Sequence, residues 1–396
     1  MAVAEPATQS SLPAAVDFAL SGDQELVREQ VRRFAEERIL PGEMERDREH
    51  RFPDEIVAEL GELGLLGMLI GEEHGGSGLD PLTYCLAVEE LARISASVAV
   101  TMSVTNSVCA WPVARFGSAE LQARVLPDLA AGALGGFGLT EPGAGSNPAG
   151  MRTRARRDGD SWVLDGEKAW ITNAGLARWY VVVAVTDPEA GHRGLSAFAV
   201  PGDAPGFGVG QPEEKMGLCS SRTAPIHFSA CRVPAANLLG VEGQGYKIAL
   251  ATLDHSRLGI AAQCVGIHQR ALELAVSYAK ERWQFGRPIA EHQGVAFKLA
   301  QMATELAAAR ALTWHAAAVA AGPRPHPQAG RLASQAKLYA SEAANRAVAE
   351  GVQVHGGNGF HADYEISRLY RDARVTTIYE GTSEMQRQVI ARHLLR

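Results

Sequence analysis

The alternation of helix-forming and strand-forming sequence along the chain constrains the fold more than any other feature. Three long segments with helical periodicity follow Gly245, and alanine pairs within them, such as Ala303 and Ala307, permit close approach of neighbouring helices. These segments span residues 247–282, 293–321 and 328–354. Helices of this length and spacing predict a bundle in the last third of the chain, against which the preceding residues have to pack.

Two regions of different character precede the bundle. Helical periodicity runs through the first 130 residues or so, whereas β-branched and aromatic runs of strand length follow Gly135. Short turns without intervening helices favour an antiparallel sheet or barrel, and Asp165–Gly166 is predicted to be the turn of a hairpin. The expected fold is α+β and mostly α. It has a disordered leader (1–20), an N-terminal helical domain (21–132), a central antiparallel β-barrel-like domain (133–243) and a C-terminal four-helix bundle (244–396).

Composition excludes several classes of protein. The net charge of −7 argues against nucleic acid or an anionic membrane as the main partner. The five cysteines are scattered and form no CxxC pair, so neither disulfides nor a metal site is expected. The sequence has no run of about 18 apolar residues, no basic signal-peptide start and no arginine-rich presequence. We therefore expect a cytoplasmic protein with no membrane contact.

A single carboxylate, Glu380, lies on a turn opened by Gly381 near the C-terminus. Ser383 and Gln386 have the spacing of a capping box, which predicts that a helix begins at Ser383. A carboxylate just before a helix N-terminus lies beside free backbone N–H groups and the positive end of the helix dipole. This suits a general base whose substrate develops an oxyanion, although an ordinary exposed loop acid is the simpler interpretation of these residues alone.

Common catalytic motifs are missing from the sequence, since it contains no GxGxxG, no P-loop, no HExxH and no GxSxG. Several segments rich in glycine, hydroxyl groups or aromatic rings remain, each of which could be an ordinary turn or helix end. They are residues 137–147, 170–172, 282–293 and 353–360. Glycines let the backbone approach a flat or phosphorylated ligand, an indole can stack on a ring, and an arginine can pair with pyrophosphate.

Taken together and in order, these segments resemble the acyl-CoA dehydrogenase family of flavoproteins, most closely its short-chain (butyryl-CoA type) members. The motifs that match are LTEPGAGS (139–146), KAWITN (168–173), RWQFGRPIAEHQ (282–293), QVHGGNGF (353–360) and RDARVTTIYEGTSEMQR (371–387). The likeness runs from about residue 22 to the C-terminus. It implies a helical–β–helical fold, bound FAD, and α,β-desaturation of an acyl-CoA thioester to the trans-2-enoyl-CoA.

The resemblance also implies a role for each matching residue. The cofactor would be bound by Phe137, Leu139, Thr140, Ser146, Trp170, Thr172, Arg282, Gln284, Phe285, Gln293, Gln353, Gly356, Gly357, Thr382 and Glu384. Acyl-CoA would contact Ser146, Ser221, Asp254, Arg257 and Gly381. Glu380 would be the general base that removes the α-proton as the β-hydride passes to the flavin. Some members place the base before the arginine of the long helix, where this chain has Ser256.

The resemblance further implies partners and a substrate range. Arg282 and Gln293 would reach the FAD of a neighbouring subunit, which implies a homotetramer, and an electron-transferring flavoprotein would accept the electrons. Segments 102–107, 252–263 and 380–395 resemble those of short-chain members, so acyl groups of about four to six carbons are expected.

Two positions depart from the family pattern. Asn147 stands where aspartate is usual, and Cys219 stands where a basic residue is usual; neither removes a chemical group of the reaction. Three other functions remain open. A short branched-chain dehydrogenase is the nearest, followed by a flavin oxidase or monooxygenase, whose members generally lack the base glutamate, and a non-enzymatic acyl-CoA-binding protein.

Overall fold

A computed structural model describes residues 19–321 and 326–395. The predicted disordered leader lies outside this range up to residue 18. The helices of the N-terminal region are α1 (Gly22–Phe34), α2 (Glu43–Glu49), α3 (Asp54–Glu62), α4 (Pro81–Ile94), α5 (Ala96–Val104), α6 (Trp111–Phe116) and α7 (Ala119–Ala130). Within the described residues, none of the helices combines the length and the apolar character that crossing a membrane requires.

Helices α4 and α5 are the part of this region that matters most for the site. The Asp80 carboxylate caps α4 by accepting from the backbone N–H groups of Leu82 at 2.7 Å and Thr83 at 3.1 Å. Ser95, which ends α4, caps α5 by accepting from Val98 N at 3.2 Å. Both helices are buried along nearly their whole length and pack against the first long helix of the C-terminal region.

The central region forms one eight-stranded sheet in the order β6-β7-β3-β2-β4-β5-β8, with β1 alongside β4. Its strands are β1 (Gly135–Gly138), β2 (Arg154–Asp158), β3 (Ser161–Thr172), β4 (Trp179–Val185), β5 (Leu195–Pro201), β6 (Phe207–Val209), β7 (Thr223–Pro234) and β8 (Leu238–Leu239). The expectation of a purely antiparallel sheet is wrong, because β1 and β2 both pair with β4 in parallel. The long segment between β1 and β2 brings the chain back so that both strands run in the same direction. The prediction assumed short turns between strands and did not include such a segment.

The predicted hairpin turn at Asp165–Gly166 is also wrong. Strand β3 runs through both residues, and the register against β7 shifts between Leu164 and Gly166. The Asp165 carboxylate accepts from Ala230 N at 2.7 Å, and the Asp–Gly pair lies opposite a β-bulge in β7, where Ser229 and Ala230 together face Asp165. The turn lies six residues earlier, at residues 159–160 between β2 and β3, where Gly159 has φ of 59°.

The C-terminal region contains α8 (Gly245–Glu281), α9 (Gln293–Ala320), α10 (Ala329–His355), α11 (Glu365–Ala373) and α12 (Ser383–Leu394). A small hairpin, β9 (Trp283–Gln284) and β10 (Arg287–Pro288), joins α8 to α9. Helix α8 lies at the centre of the molecule, where it packs against α10, α9 and α4. The fold is therefore helical, then β, then helical, and residues 21–132, 133–243 and 244–396 stay the domains that we propose.

The capping of α12 differs from the prediction by one residue. Thr382 is the N-cap, because its hydroxyl accepts from Met385 N at 3.3 Å, whereas Ser383 is the first helical residue. Gln386 does not complete a capping box. Its side-chain amide turns back and donates to the carbonyl oxygens of Glu380 at 3.2 Å and Gly381 at 2.8 Å.

Candidate active site

The turn that carries Glu380 has an unusual backbone conformation. Glu380 has φ of 53° and Gly381 has φ of 92°, so two consecutive residues lie in the left-handed region. The segment before the turn is tied to α10, since the Asn345 side chain donates to Ala373 O at 2.9 Å and to Thr376 Oγ1 at 3.2 Å. These contacts hold the turn beside α10, and its residues Glu380 and Gly381 are half-buried.

Helices α8 and α10 surround the Glu380 carboxylate with polar groups. The Ser256 hydroxyl on α8 donates to Glu380 Oε2. The next residue, Arg257, is only 4% exposed; it donates to Asp254 and, at 3.2 Å, to Ser334 Oγ on α10. Its Nε has no partner among the described residues. Ser256, the residue that cannot serve as the base itself, is thus the hydrogen-bond partner of the one that can.

Burial raises the pKa of the Glu380 carboxyl above its usual value. The hydrogen bond from Ser256 and the positive charges of Arg257 and Lys337 oppose that shift without cancelling it. A carboxylate held this way is a stronger base than an exposed glutamate and still has neighbours that stabilise its ionised form.

The sequence analysis missed Lys337, which lies on α10 beneath the turn. Its side chain is fully buried, and its Nζ donates to Gly381 O at 2.8 Å. Burial lowers the pKa of Lys337 to about 8, while Cys264 and Glu380 act in the opposite direction. A signal was present in the sequence, because Lys337 falls at helical spacing from Ala333 and Ala340 and is the one charged residue among the alanines and serines of that face of α10.

Three of the predicted substrate residues come together at this turn, namely Asp254, Arg257 and Gly381. The Asp254–Arg257 ion pair flanks Ser256 on α8, and Gly381 follows Glu380 directly. The other two lie in separate loops. Ser221 is buried, with its carbonyl oxygen accepting from Lys215 Nζ at 2.8 Å, and Ser146 is exposed.

The glycine-rich motif at residues 139–146 and the tryptophan-containing motif at residues 168–173 meet at one end of the sheet. Ala169 N donates to Thr140 O at 2.9 Å, and the buried Lys168 donates to Leu139 O at 3.3 Å and to Glu141 Oε1 at 2.8 Å. Sequence reasoning did not single out this Lys168–Glu141 ion pair, which fixes the position of residues 139–146 relative to β3.

Trp170 lies next to this junction and is 60% exposed in spite of its large apolar ring. Its backbone has φ of 62°, a conformation that a bulky residue rarely adopts without a functional reason. Thr172, two residues along β3, pairs with Thr223 and is half-buried, and Phe137 lies on the neighbouring β1. An exposed indole beside hydroxyl groups and an open glycine loop provides a stacking face and polar donors for a flat ring.

A second group of predicted cofactor residues lies on the surface, at the end of α8 and α10. Arg282, Gln284, Phe285 and Gln293 are exposed around the β9–β10 hairpin, and Gln353, Gly356 and Gly357 are exposed at the end of α10. Phe285 is 93% exposed and has φ of 52°. The other two predicted residues, Thr382 and Glu384, begin α12 beside Glu380.

The donor set of these segments fits FAD. A stacking indole, hydroxyl groups, side-chain amides and an arginine are the groups that a ring, a polyol chain and a pyrophosphate require. A Cβ built on Gly143, Gly145, Gly356 or Gly357 meets nothing within 4 Å, so the backbone of both loops is open to a bound molecule.

Family models cover nearly the whole described chain in the order of the three regions. The model of the acyl-CoA dehydrogenase N-terminal domain matches residues 21–133, that of the middle domain matches residues 136–231, and that of the C-terminal domain matches residues 243–395. The chain therefore belongs to the acyl-CoA dehydrogenase family, and it is a FAD-dependent oxidoreductase.

Individual relatives narrow this description. The chain is 47% identical over 373 residues to the mitochondrial short-chain specific acyl-CoA dehydrogenase of Mus musculus. The alignment covers 94% of this chain and 90% of the relative. The structure of butyryl-CoA dehydrogenase from Megasphaera elsdenii superposes with a TM-score of 0.94 at 42% identity, covering 96% and 100% of the two chains. A structure that concerns the electron transferring flavoprotein of Acidaminococcus fermentans contains a chain with the same TM-score, 43% identity and the same coverage. The predicted fold and family are thus confirmed.

Proposed function

We propose that this protein desaturates a short-chain acyl-CoA thioester between its α- and β-carbons, with Glu380 as the general base. The observation that carries the proposal is the position of the Glu380 carboxylate, which is held by Ser256 and neighboured by Arg257 and Lys337. The exposed Trp170 and the open glycine loops supply the place for the cofactor. FAD, when bound, accepts the β-hydride.

The arrangement addresses the main difficulty of the reaction, which is the weak acidity of a thioester α-proton. Burial makes Glu380 more basic than an exposed glutamate, so it can take up this proton. Negative charge develops on the thioester oxygen at the same time, and we propose that the backbone N–H of Glu380 donates to it. One residue would then provide both the base and part of the oxyanion site.

Close packing leaves little free space along the face of α8 that begins at Ser256. Gly259, three residues on, leaves no room, since a Cβ there would lie 2.4 Å from the Tyr84 hydroxyl and 2.6 Å from Ser103 Oγ. Gln263, seven residues on, is buried; it donates to Ala96 O at 3.0 Å and accepts from the Tyr379 hydroxyl. Seven residues of helix span about 10 Å, so we propose that Gln263 forms the floor of the acyl pocket.

A pocket of this depth predicts a preference for acyl groups of about four to six carbons, with straight-chain substrates ahead of branched ones. Each buried methylene adds about 0.8 kcal/mol where space exists, and selectivity for one methylene reaches about 10- to 200-fold. Flavin bleaching by a ladder of acyl-CoA thioesters tests this, and a rate that rises steadily from butyryl to palmitoyl would contradict it. We expect Gln263→Ala to move the optimum to longer chains, whereas Gln269→Ala, on the same helix but bonded to Glu273 and Arg310, should leave it in place.

We further propose that the electrons leave to an electron-transferring flavoprotein and not to oxygen. The likeness to the chain from the Acidaminococcus fermentans structure supports this, as does Glu380, which oxidases and monooxygenases of this fold generally lack. Steady-state turnover should be fast with an electron-transferring flavoprotein or an artificial acceptor, with little hydrogen peroxide. Peroxide released at the substrate-saturated rate would instead identify an oxidase.

A homotetramer completes the proposal. Phe285, Arg282 and Gln293 are exposed around the β9–β10 hairpin, which suits residues that reach the cofactor of a neighbour. Light scattering of the FAD-loaded protein tests the assembly, and a monomer with full FAD content would contradict it. The cytoplasmic location stays a prediction.

A further inference from the structure

Two buried side chains hold the carbonyl groups of the turn that carries Glu380. Lys337 Nζ on α10 and Gln386 Nε2 on α12 each donate to Gly381 O at 2.8 Å. Gln386 also donates to Glu380 O at 3.2 Å. Both side chains are fully buried, so the turn is fixed from two different helices.

The turn needs such support because its backbone conformation is unfavourable. A left-handed φ is uncommon for a residue other than glycine, and it persists where the surrounding structure imposes it. Rotation of the peptide group between Gly381 and Thr382, which carries Gly381 O, would change the backbone of the turn and redirect the Glu380 carboxylate away from Ser256. The hydrogen bonds to Gly381 O therefore help to set the direction of the base.

Packing alone does not explain a lysine at position 337, because burial of its ammonium group costs desolvation free energy. Lys337 lies among the buried alanines Ala333, Ala336 and Ala340, where an apolar side chain of similar length would fill the same space. A buried ammonium group is kept at the expense of desolvation, which the hydrogen bond to Gly381 and the neighbouring Glu380 offset. Its charge in turn favours the ionised form of Glu380.

We propose that Lys337 is a positioning residue of the desaturation reaction: by donating to the Gly381 carbonyl, it holds the Glu380 turn in the conformation that aims the carboxylate at the substrate. The inference rests on the proposed function, in which Glu380 is the base. Gln386 acts on the same carbonyl without a charge, and it therefore serves as the matched comparison.

Lys337→Met and Gln386→Leu each remove one donor to Gly381 O. We expect kcat, measured with butyryl-CoA and an artificial electron acceptor, to fall by about 10- to 100-fold in each variant, because small displacements of a reacting group cost this much. The dissociation constant of a non-reacting 3-thiaacyl-CoA should change little. Lys337→Gln keeps an N–H donor without the charge and should recover part of kcat.

The pH profile separates positioning from charge. The groups that face Lys337 and Glu380 are Arg257 and Cys264 on α8, Glu342 on α10, Tyr84 on α4 and Tyr379 on the turn itself. Loss of the Lys337 cation should raise the pKa of Glu380, so the inflection of kcat/KM moves to higher pH in Lys337→Met and Lys337→Gln. Gln386→Leu should leave this inflection in place.

Turnover of Lys337→Met at the parental rate would overturn the inference. An equal loss of kcat and of 3-thiaacyl-CoA affinity, with an unmoved inflection, would also overturn it, since that pattern indicates general damage. If Lys337→Met does not fold, Lys337→Gln decides by the same two readouts. Failure of the proposed function is distinguishable, because the parent protein itself would then not be bleached by any acyl-CoA.

Discussion

Glu380→Gln is expected to retain FAD and ligand binding but to lose turnover by about 100- to 10,000-fold, the usual effect of removing a general base. The amide is nearly isosteric with the acid and can still accept the hydrogen bond from Ser256, but it cannot take up the α-proton. The rate of flavin bleaching by butyryl-CoA in a stopped-flow instrument measures the loss.

A control for this variant is Glu59→Gln. Glu59 lies on α3, where its carboxylate forms a surface ion pair with Arg38, so its replacement should leave the bleaching rate near that of the parent. Near-normal turnover of Glu380→Gln would show that another residue is the base. In the parent protein, kcat/KM should rise with pH as Glu380 loses its proton, with an inflection above the ordinary range for glutamate.

Arg368→Met is expected to lower the free energy of unfolding by about 3–5 kcal/mol, because it leaves buried carboxylates without their counter-charge. Arg368 is fully buried on α11. It contacts Glu43 at 3.4 Å, Asp372 at 3.2 Å and Glu365 at 3.1 Å, and it donates to Ile94 O at 2.8 Å. The cluster joins α2, α4 and α11, so its loss weakens the packing of the segment that leads to Glu380. Urea unfolding, with FAD content held constant, measures the effect.

The pH dependence of this destabilisation has a definite sign. Burial raises the pKa of Glu43 and Asp372 even with Arg368 present, and removal of the arginine should raise both further. A carboxyl whose pKa is raised on folding costs stability as the pH rises through its titration, so the deficit should be larger at pH 8 than at pH 5. Arg346→Met is the matched control. The Arg346 side chain is 51% exposed in its ion pair with Glu305, and we expect a change of about 0–1 kcal/mol. An equal loss in both variants would contradict the prediction.

Much of the fold was predictable from local pattern. The predicted helices at residues 247–282 and 293–321 correspond to Gly245–Glu281 and Gln293–Ala320, because helical periodicity and flanking glycines are properties of neighbouring residues. The pattern failed at Asp165–Gly166, where an Asp–Gly pair that favours a turn continues β3 opposite a bulge in β7, because Asp165 accepts a hydrogen bond from Ala230 N there. The parallel pairing of β1 with β4 likewise depends on a partner that no local signal names.

The candidate site shows the same division. The sequence alone determined that an acid precedes a glycine and a helix N-terminus, and its motifs determined the family. Only the tertiary structure decided that Ser256, 124 residues away, donates to Glu380, and that Lys337, 44 residues away, donates to Gly381. Periodicity specifies which face of a helix is buried but not which residue of another segment meets it. That depends on how α8, α10 and the turn pack together, since their side chains come within hydrogen-bonding distance only in the folded chain.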